Sequence, residues 1–299
     1  MGIWIDGKKI AEEILEEVRE EVKDLFKKTG REPHLAAIKV GHNPASEAYL
    51  RRKERVSRKV GIRYSLYDTS LDELEKVIAS LNSREDVDGI ILQLPLPENI
   101  PAFPYICKIN PEKDVDGFTP QNQGRLLLGE DGLFPATPLG IIEILKRYNV
   151  EIKGKKAVVV GRSFIVGKPA AIMLLKENAT VCVAHSKTRE LARLTSSADI
   201  LVVAVGRPFF IRKEMVKEGA IVVDVGINWI DDEEFLKKEV GDWRREEFVK
   251  KGYLLVGDVH PEVFEKASLM TPVPGGVGQL TVAMLMKNTL KAFRRRIGK

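Results

Sequence analysis

The sequence predicts an α/β protein built on parallel sheets, and three observations carry the prediction. Short apolar runs alternate with longer amphipathic stretches through the first third of the chain, the pattern of helices covering a parallel sheet. At Val158-Val159-Val160-Gly161-Arg162-Ser163-Phe164-Ile165-Val166-Gly167-Lys168-Pro169 an apolar run ends in glycine, and a short loop leads into an apolar, Ala-rich segment, Ala170 to Leu175. That reads as strand, tight turn, helix. The length of 299 residues suits two α/β domains or one large one.

Each element has its own reason. Ile3 to Ile5 is a short strand. Ile10, Ile14, Leu15, Val18, Val22, Leu25 and Phe26 then recur at helical spacing with charges between them, which predicts a long amphipathic helix. Leu35 to Val40 is a strand, and Pro44 to Val60 a helix stopped by Gly61. Arg63 to Tyr67 is a strand, Leu71 to Leu81 a helix, and Gly89 to Leu94 a strand. Thr137-Pro138 reads as an N-cap and first helical residue of a helix ending near Tyr148. The strand–turn–helix unit follows from Lys156, with its helix from Pro169 to Lys176 and a second strand from Ala179 to Ala184. Further strands are Ile200 to Val205, Ala220 to Val225 and Tyr253 to Val256. Ile230 to Lys251 is charge-rich and reads as a surface excursion. The loop Thr271-Pro272-Val273-Pro274-Gly275-Gly276-Val277-Gly278 precedes a last helix from about Thr281 to Phe293.

Composition narrows the class. No apolar run reaches the length of a membrane span, and Met1 to Asp6 lacks the basic-then-apolar pattern of a signal peptide. Cys107 and Cys182 stand far apart without metal spacing, so both read as small core residues of a reducing, cytoplasmic compartment. The four histidines are scattered, and no metal site is expected. The net charge of +5 is spread over mixed signs. Polyanionic small ligands suit it, whereas a nucleic-acid-binding protein would show a stripe of like charge.

The strand–turn–helix unit has the form of a dinucleotide phosphate loop. It departs from G-x-G-x-x-G, with Ser163 in place of the second glycine and one extra residue before Gly167. Gly161 would let the chain leave the strand tightly, and Gly167 would let the helix pack close. Free amides at the helix start would face a diphosphate. The plain alternative is an ordinary strand–helix turn. The second strand ends in His185-Ser186-Lys187-Thr188, where an NAD site needs a carboxylate. Hydroxyls and positive charge suit a 2′-phosphate, which favours NADP. Ser186 and Thr188 also read as N-caps of a helix from Arg189.

A second constellation lies in the first half. Ser46, Tyr49 and Lys53 share one helix face, although the neighbouring arginines give spacing alone the reading of a solvated face. Gln93 closes an apolar strand at its carboxyl end, where ligands of parallel sheets bind. Asp114 and Asp116 sit in Lys113-Asp114-Val115-Asp116-Gly117-Phe118, otherwise an acidic turn with too few oxygens for a calcium loop.

Taken together, these segments resemble the bifunctional methylenetetrahydrofolate dehydrogenase/cyclohydrolase family over nearly the whole chain. The resemblance runs through Val40-Gly41-His42-Asn43-Pro44-Ala45-Ser46-Glu47-Ala48-Tyr49 with Lys53, Gly89 to Pro97, Lys113 to Phe118, Gly161 to Pro169, His185-Ser186, Asp224 to Asn228, Gly257 to Val259 and Thr271 to Gly278. It implies two domains with a cleft between them: an N-terminal α/β catalytic domain (residues 1–138 plus 279–299) that binds folate, and a Rossmann-like dinucleotide-binding domain (139–278) that binds NADP. It further implies NADP-dependent oxidation of 5,10-methylenetetrahydrofolate and hydrolysis of the product to 10-formyltetrahydrofolate, in a homodimer. Lys53, Tyr49 and Gln93 take the catalytic roles. Ser46, Tyr49, Gln93, Leu94, Pro95, Asp116, Pro274, Gly275 and Gly276 contact folate. Gly161, Arg162, Ser163, Ile165, Val166, Gly167, His185, Ser186 and Ile227 contact the cofactor. This chain has Ala136 where the family usually has cysteine, and Gln279-Leu280 where it has proline-methionine. The alternatives are another two-domain NADP dehydrogenase of the shikimate type, which would share only the nucleotide half, and a non-catalytic protein retaining the fold.

Overall fold

A computed structural model describes residues 2–42, 44–97 and 100–298; Asn43 of the first motif lies outside the described residues. In chain order the elements are β1 (Ile3–Trp4), α1 (Gly7–Thr29), β2 (His34–Val40), α2 (Pro44–Lys59), β3 (Arg63–Thr69), α3 (Leu74–Ser83), β4 (Gly89–Leu92), α4 (Phe103–Ile106), α5 (Pro120–Leu128) and α6 (Ala136–Arg147). Then follow β5 (Lys156–Val160), α7 (Gly167–Lys176), β6 (Thr180–Ala184), α8 (Leu191–Thr195), β7 (Ile200–Val203), β8 (Ile221–Asp224), β9 (Asn228–Ile230), α9 (Glu233–Val240), α10 (Arg245–Lys251), β10 (Leu254–Val256), β11 (Leu269–Met270) and α11 (Val277–Ile297). They form two compact units, residues 11–139 with 281–299, and residues 1–10 with 140–280. Among the described residues no helix is long and apolar enough to cross a membrane.

The first unit is built on a three-stranded parallel sheet in the order β3-β2-β4, with Leu35 opposite both Tyr64 and Gly89. Its middle strand, β2, is buried along almost its whole length, as a central parallel strand requires. Ile14, Leu15, Val18 and Val22 of α1 and Leu74, Ile78 and Leu81 of α3 bury their stripes. Phe26, expected in the α1 stripe, is 46% exposed, because the last turn of the helix runs past the core. Thr137 does not cap a helix: α6 begins at Ala136, and the Thr137 hydroxyl instead lies 3.0 Å from that of Thr281. The cap belongs to Thr119, whose hydroxyl accepts from the Asn122 amide ahead of Pro120.

The second unit holds a six-stranded sheet in the order β1-β11-β8-β7-β5-β6, with every pair parallel. Its core is built on Val158, Val160, Leu201, Val203 and Val222. The first ten residues group here and not with the expected 1–138, because Ile3 and Trp4 pair with Leu269 and Met270 and extend this sheet. The chain leaves β5 for β6 on one side and returns to β7 on the other. The carboxyl ends of β5 and β7 therefore form a topological switch point, where dinucleotides bind in such sheets.

The expected surface excursion is a small substructure with a core of its own. β9 and β10 pair antiparallel, and Leu236, Leu254 and Val256 bury with Phe209, backed by Ile230, Phe235, Val240 and Phe248. The apolar positions are spaced for one face of two short helices and are outnumbered by charges, which hides them in the sequence.

Candidate active site

In the three-stranded unit the helix α2 carries three of its four arginines outward: Arg51, Arg55 and Arg58 are exposed, and Arg58 donates to Glu54 across one turn (2.7 Å). The opposite row turns inward. Ser46 is buried, Tyr49 keeps its ring open to solvent, and Lys53 is half-buried. Lys53 Nζ donates to Gln93 Oε1 (3.1 Å). Ser57, one turn on and fully buried, donates to the Lys53 carbonyl (2.8 Å) and lies 3.2 Å from Met286 Sδ. The helix is thereby fixed behind the lysine.

Gln93 stands just past the end of β4, its amide still bonded to Ile38 (2.9 Å). Its Nε2 donates to the Leu94 carbonyl (2.7 Å), which leaves Oε1 to face the lysine and settles the orientation of the side-chain amide. Leu94 is half-buried and Pro95 exposed beside it.

The third member comes from the 113–118 turn, whose first two charged residues are structural. Lys113 is buried and donates to the carbonyls of Leu81 (2.9 Å), Asn82 (2.8 Å) and Arg84 (2.6 Å). Asp114 accepts from the Thr119 amide (2.8 Å), the Thr119 hydroxyl (2.7 Å) and Asn122 Nδ2 (3.0 Å). Gly117 has φ +71°, and a Cβ there would stand 2.4 Å from the Phe134 carbonyl carbon. The turn is rigid, and it presents Asp116.

Burial pushes the Lys53 ammonium below the ordinary lysine range, partly opposed by the Asp116 charge. Burial likewise pushes Asp116 up to about 6, with Lys53 opposing and Asp114 reinforcing the rise. An amine and a carboxyl are thus both moved toward neutral pH, beside an oriented amide. That is the arrangement of a proton-transfer site.

In the six-stranded unit, Gly161 leaves β5 with φ +131°, and a Cβ on it would lie 2.3 Å from the Ala204 carbonyl oxygen at the end of β7. A Cβ on Gly167 would lie 2.2 Å from the Gly161 oxygen, so the helix start packs on the turn itself. The amides at that start are not free as expected. Ser163 Oγ accepts from Val166 (3.1 Å) and Gly167 (3.4 Å), and Lys168 N donates to the Ser163 carbonyl (3.0 Å). The serine that replaces the second glycine closes the turn. Arg162 and Lys168 are exposed on it, with Ile165 and Val166 half-buried.

At the end of β6, His185 Nδ1 accepts from the Lys187 amide (3.1 Å), which places the ring proton on Nε2 when the ring is neutral. Thr188 Oγ1 accepts from the His185 amide (2.9 Å). Neither Ser186 nor Thr188 caps a helix, because α8 begins only at Leu191, after Glu190 at φ +50°. Ser186, Lys187 and Arg189 are exposed, and no carboxylate stands among residues 185–189. The turn at the switch point, its flanking cations and this hydroxyl-bearing strand end fit a 2′-phosphorylated dinucleotide.

Two buried aspartates, quoted in the motifs without a role, order the loops behind that turn. Asp258 accepts from the amides of Val205 (2.6 Å), Gly206 (2.9 Å) and Arg207 (2.8 Å) after β7. Asp224 accepts from Gly226 (2.9 Å), Asp258 (3.0 Å) and Val259 (2.9 Å) after β8. Burial pushes Asp224 up to about 7 despite these donors. Their only trace in the sequence is an aspartate one or two residues from a glycine. Ile227 is exposed, and its Cδ1 stands 3.2 Å from where a Cβ on Gly278 would lie. Gly275 has φ +115°, and the Gly276 amide donates to the Pro272 carbonyl (2.8 Å). Pro274, Gly275 and Gly276 therefore form a tight turn directly ahead of α11.

Comparison with known proteins covers both halves. The catalytic-domain model of the tetrahydrofolate dehydrogenase/cyclohydrolase family matches residues 5–116, and the NAD(P)-binding-domain model of that family matches residues 135–297. The bifunctional protein FolD of Koribacter versatilis is 52% identical, covering 98% of this chain and 97% of that protein. The crystal structure of the bifunctional FolD methylenetetrahydrofolate dehydrogenase/cyclohydrolase from Campylobacter jejuni is 42% identical, with a TM-score of 0.89 over 99% of this chain and 100% of that one. The Trypanosoma brucei dehydrogenase-cyclohydrolase, complexed with NADP cofactor and inhibitor, is 38% identical, with a TM-score of 0.89 over 100% of this chain and 99% of that one. A dehydrogenase sharing only the nucleotide half would not match over both halves. With the lysine, glutamine and aspartate drawn together in one unit and the dinucleotide turn formed in the other, the chain belongs to the tetrahydrofolate dehydrogenase/cyclohydrolase family.

Proposed function

We propose that Lys53, held by Gln93 and balanced by Asp116, is the proton-transfer group of the cyclohydrolase reaction. The enzyme is bifunctional. It oxidises 5,10-methylenetetrahydrofolate with NADP and hydrolyses the resulting 5,10-methenyltetrahydrofolate to 10-formyltetrahydrofolate. The unit of residues 11–139 and 281–299 takes the folate ring, and the unit of residues 1–10 and 140–280 takes the dinucleotide.

NADP, when bound, supplies the hydride acceptor. Gly161, Arg162, Ser163, Ile165, Val166, Gly167, His185, Ser186 and Ile227 would hold it. The folate needs alignment for the oxidation, because its own nitrogen lone pair expels the hydride. Hydrolysis of the methenyl cation needs a base. Burial makes the Lys53 amine easier to deprotonate, and a cationic folate beside it lowers its proton affinity further by like charge. The neutral amine takes a proton from water as the oxygen adds to the methenyl carbon, and gives it to the ring nitrogen that departs as its C–N bond breaks; the remaining hydroxyl proton is released to solvent as the formyl carbonyl forms. Gln93 holds the amine in place, and Tyr49 and Ser46 line the same helix face. Asp116 accepts from ring N–H groups, flanked by Leu94 and Pro95. Pro274, Gly275 and Gly276 supply the further folate contacts. The enzyme works in the cytoplasm as a homodimer, a reading that rests on the family resemblance; Cys107 is exposed and Cys182 only half-buried, so the two cysteines are not the core residues expected.

The observation that carries this reading is the Lys53–Gln93 contact of 3.1 Å between a helix and a strand end. The test is an absorbance assay that follows methenyl-folate and reduced nicotinamide separately, on the wild type and on Lys53→Met. Light scattering tests the dimer.

A further inference from the structure

The segment 231–252 has no part in the chemistry proposed above, yet one of its residues reaches the folate loop. Arg244 stands between α9 and α10 at φ +56°, a left-handed backbone uncommon for a residue with a side chain. That bend sends the guanidinium inward, and the side chain is only 18% exposed. Nη1 donates to the Leu255 carbonyl in β10 (2.8 Å) and to the Val273 carbonyl in the loop (3.1 Å). Nε donates to Glu247 Oε2 (2.8 Å), and the guanidinium lies 4.9 Å from the centre of the Trp243 ring. Nε, Nη1 and the face of the guanidinium are all engaged, so the arginine is itself held in place.

The loop depends on such a hold. Pro272, Val273 and Pro274 line a cavity of about 290 Å³ together with Trp4, Phe209 and Trp243. On that side the loop faces space in place of packed side chains. Its other side is closed by α1, where a Cβ on Gly7 would lie 2.4 Å from the Gly276 oxygen and 2.6 Å from that of Gly275. Thr271 is anchored to β8 through the Val222 carbonyl (3.1 Å) and the Asp224 amide (2.8 Å); beyond it, the Arg244 bond to the Val273 carbonyl is the polar tether on the cavity side.

We propose that Arg244 is a positioning residue for the folate reactions. It ties the 271–276 loop to the 231–252 segment and sets where Pro274, Gly275 and Gly276 stand toward the substrate. The proposal rests on the reading of that loop as a folate contact.

The test is steady-state kinetics of the full-length enzyme, with 5,10-methylenetetrahydrofolate varied at saturating NADP and then the reverse. Small displacements of positioning groups are costly, so Arg244→Ala is expected to raise the folate KM roughly fivefold to tenfold, with kcat and the NADP KM changed less than about twofold. Arg244→Lys should fall between, because an ammonium reaches one carbonyl without the fork. A folate KM within about twofold of wild type, or a parallel rise in both KM values, overturns the proposal, since parallel loss is what general destabilisation gives. If Arg244→Ala lacks a single cooperative unfolding transition, Arg244→Gln and Arg244→Lys are judged by the same criterion. Pro274→Ala separates the two layers. An unchanged folate KM in Pro274→Ala refutes the loop as a folate contact. A raised one, with Arg244→Ala unaffected, refutes the tether alone.

Discussion

The lysine cluster and the dinucleotide turn are built on opposite plans. The cluster is made of side chains from three places far apart in sequence: Lys53 on α2, Gln93 after β4 and Asp116 in a turn, each half-buried. The dinucleotide turn is one continuous stretch, and what defines it is backbone: two glycines that admit no Cβ and a serine that closes the loop on itself. The first should be sensitive to chemistry and tolerant of shape, the second the reverse. The contrast also says how each is supported. The side-chain site leans on buried polar residues such as Lys113, Asp114 and Ser57, and the backbone site leans on Asp224 and Asp258.

The largest effect that tests the contrast is at Lys53. Lys53→Met keeps most of the apolar stem and removes the amine, and loss of a general base costs about 10²- to 10⁴-fold. Methenyl-folate hydrolysis should fall by that order, with dehydrogenase activity reduced less. Hydrolysis within about threefold of wild type, a small fraction of the loss expected for a general base, takes Lys53 out of the chemistry. Asp116 comes next. Loss of a charge-assisted hydrogen bond is worth about 1.5–3 kcal/mol, so Asp116→Ala should weaken folate binding by that amount and leave NADP binding unchanged, as calorimetry with each ligand would read. The carboxylate is the accepting form, and burial pushes its pKa up to about 6. As pH falls through that value the carboxylate is protonated, so kcat/KM for folate should fall about tenfold in all between pH 7 and pH 5, most of it below pH 6. A variant profile as steep as the wild-type one in this window assigns the titration to another group.

On the backbone side, Gly161→Ala adds a single methyl group. It forces an alanine to φ +131° against the Ala204 carbonyl, a strain of about 1–3 kcal/mol. Thermal unfolding should show the cost, and NADP binding should fall while folate binding holds. An unchanged Tm with full NADP affinity would mean that the turn is not backbone-limited. The smallest effect is at Arg162, which is exposed. Arg162→Ala should lower the preference for NADP over NAD about tenfold, the scale of one charge-assisted contact. Initial rates with both cofactors decide it, and equal losses would leave Arg162 no part in reading the 2′-phosphate.

The same contrast governs what could be read from the chain. The dinucleotide turn was legible because its requirements are local: glycine where the backbone bends, then an apolar helix start. The lysine cluster was not. Spacing alone reads α2 as a solvated face, and only the order of several motifs, taken as a family resemblance, brought Lys53, Gln93 and Asp116 together. The misses share one cause. Thr119-Pro120 and Thr137-Pro138 carry the same local signal, yet only Thr119 caps a helix, because tertiary contacts draw Thr137 into α6. The apolar face of α9 and α10 is diluted by charges until the fold gathers it. Asp224, Asp258 and Lys113 act on backbone groups 20 or more residues away in most of their bonds, and no local pattern records such partners.

The two buried aspartates also interlock with two glycines. A Cβ on Gly257 would lie 1.8 Å from Asp224 Oδ2, and a Cβ on Gly226 would lie 2.3 Å from Asp258 Cγ. Each glycine is held by the aspartate beside it, and each aspartate is needed by the amides it receives. A side chain on Gly257 would collide with Asp224, and losing Asp224 strands three buried N–H groups. The two positions are therefore coupled, and Asp224→Ala with Gly257→Ala should cost less than the sum of the single changes, by about 0.5–3 kcal/mol.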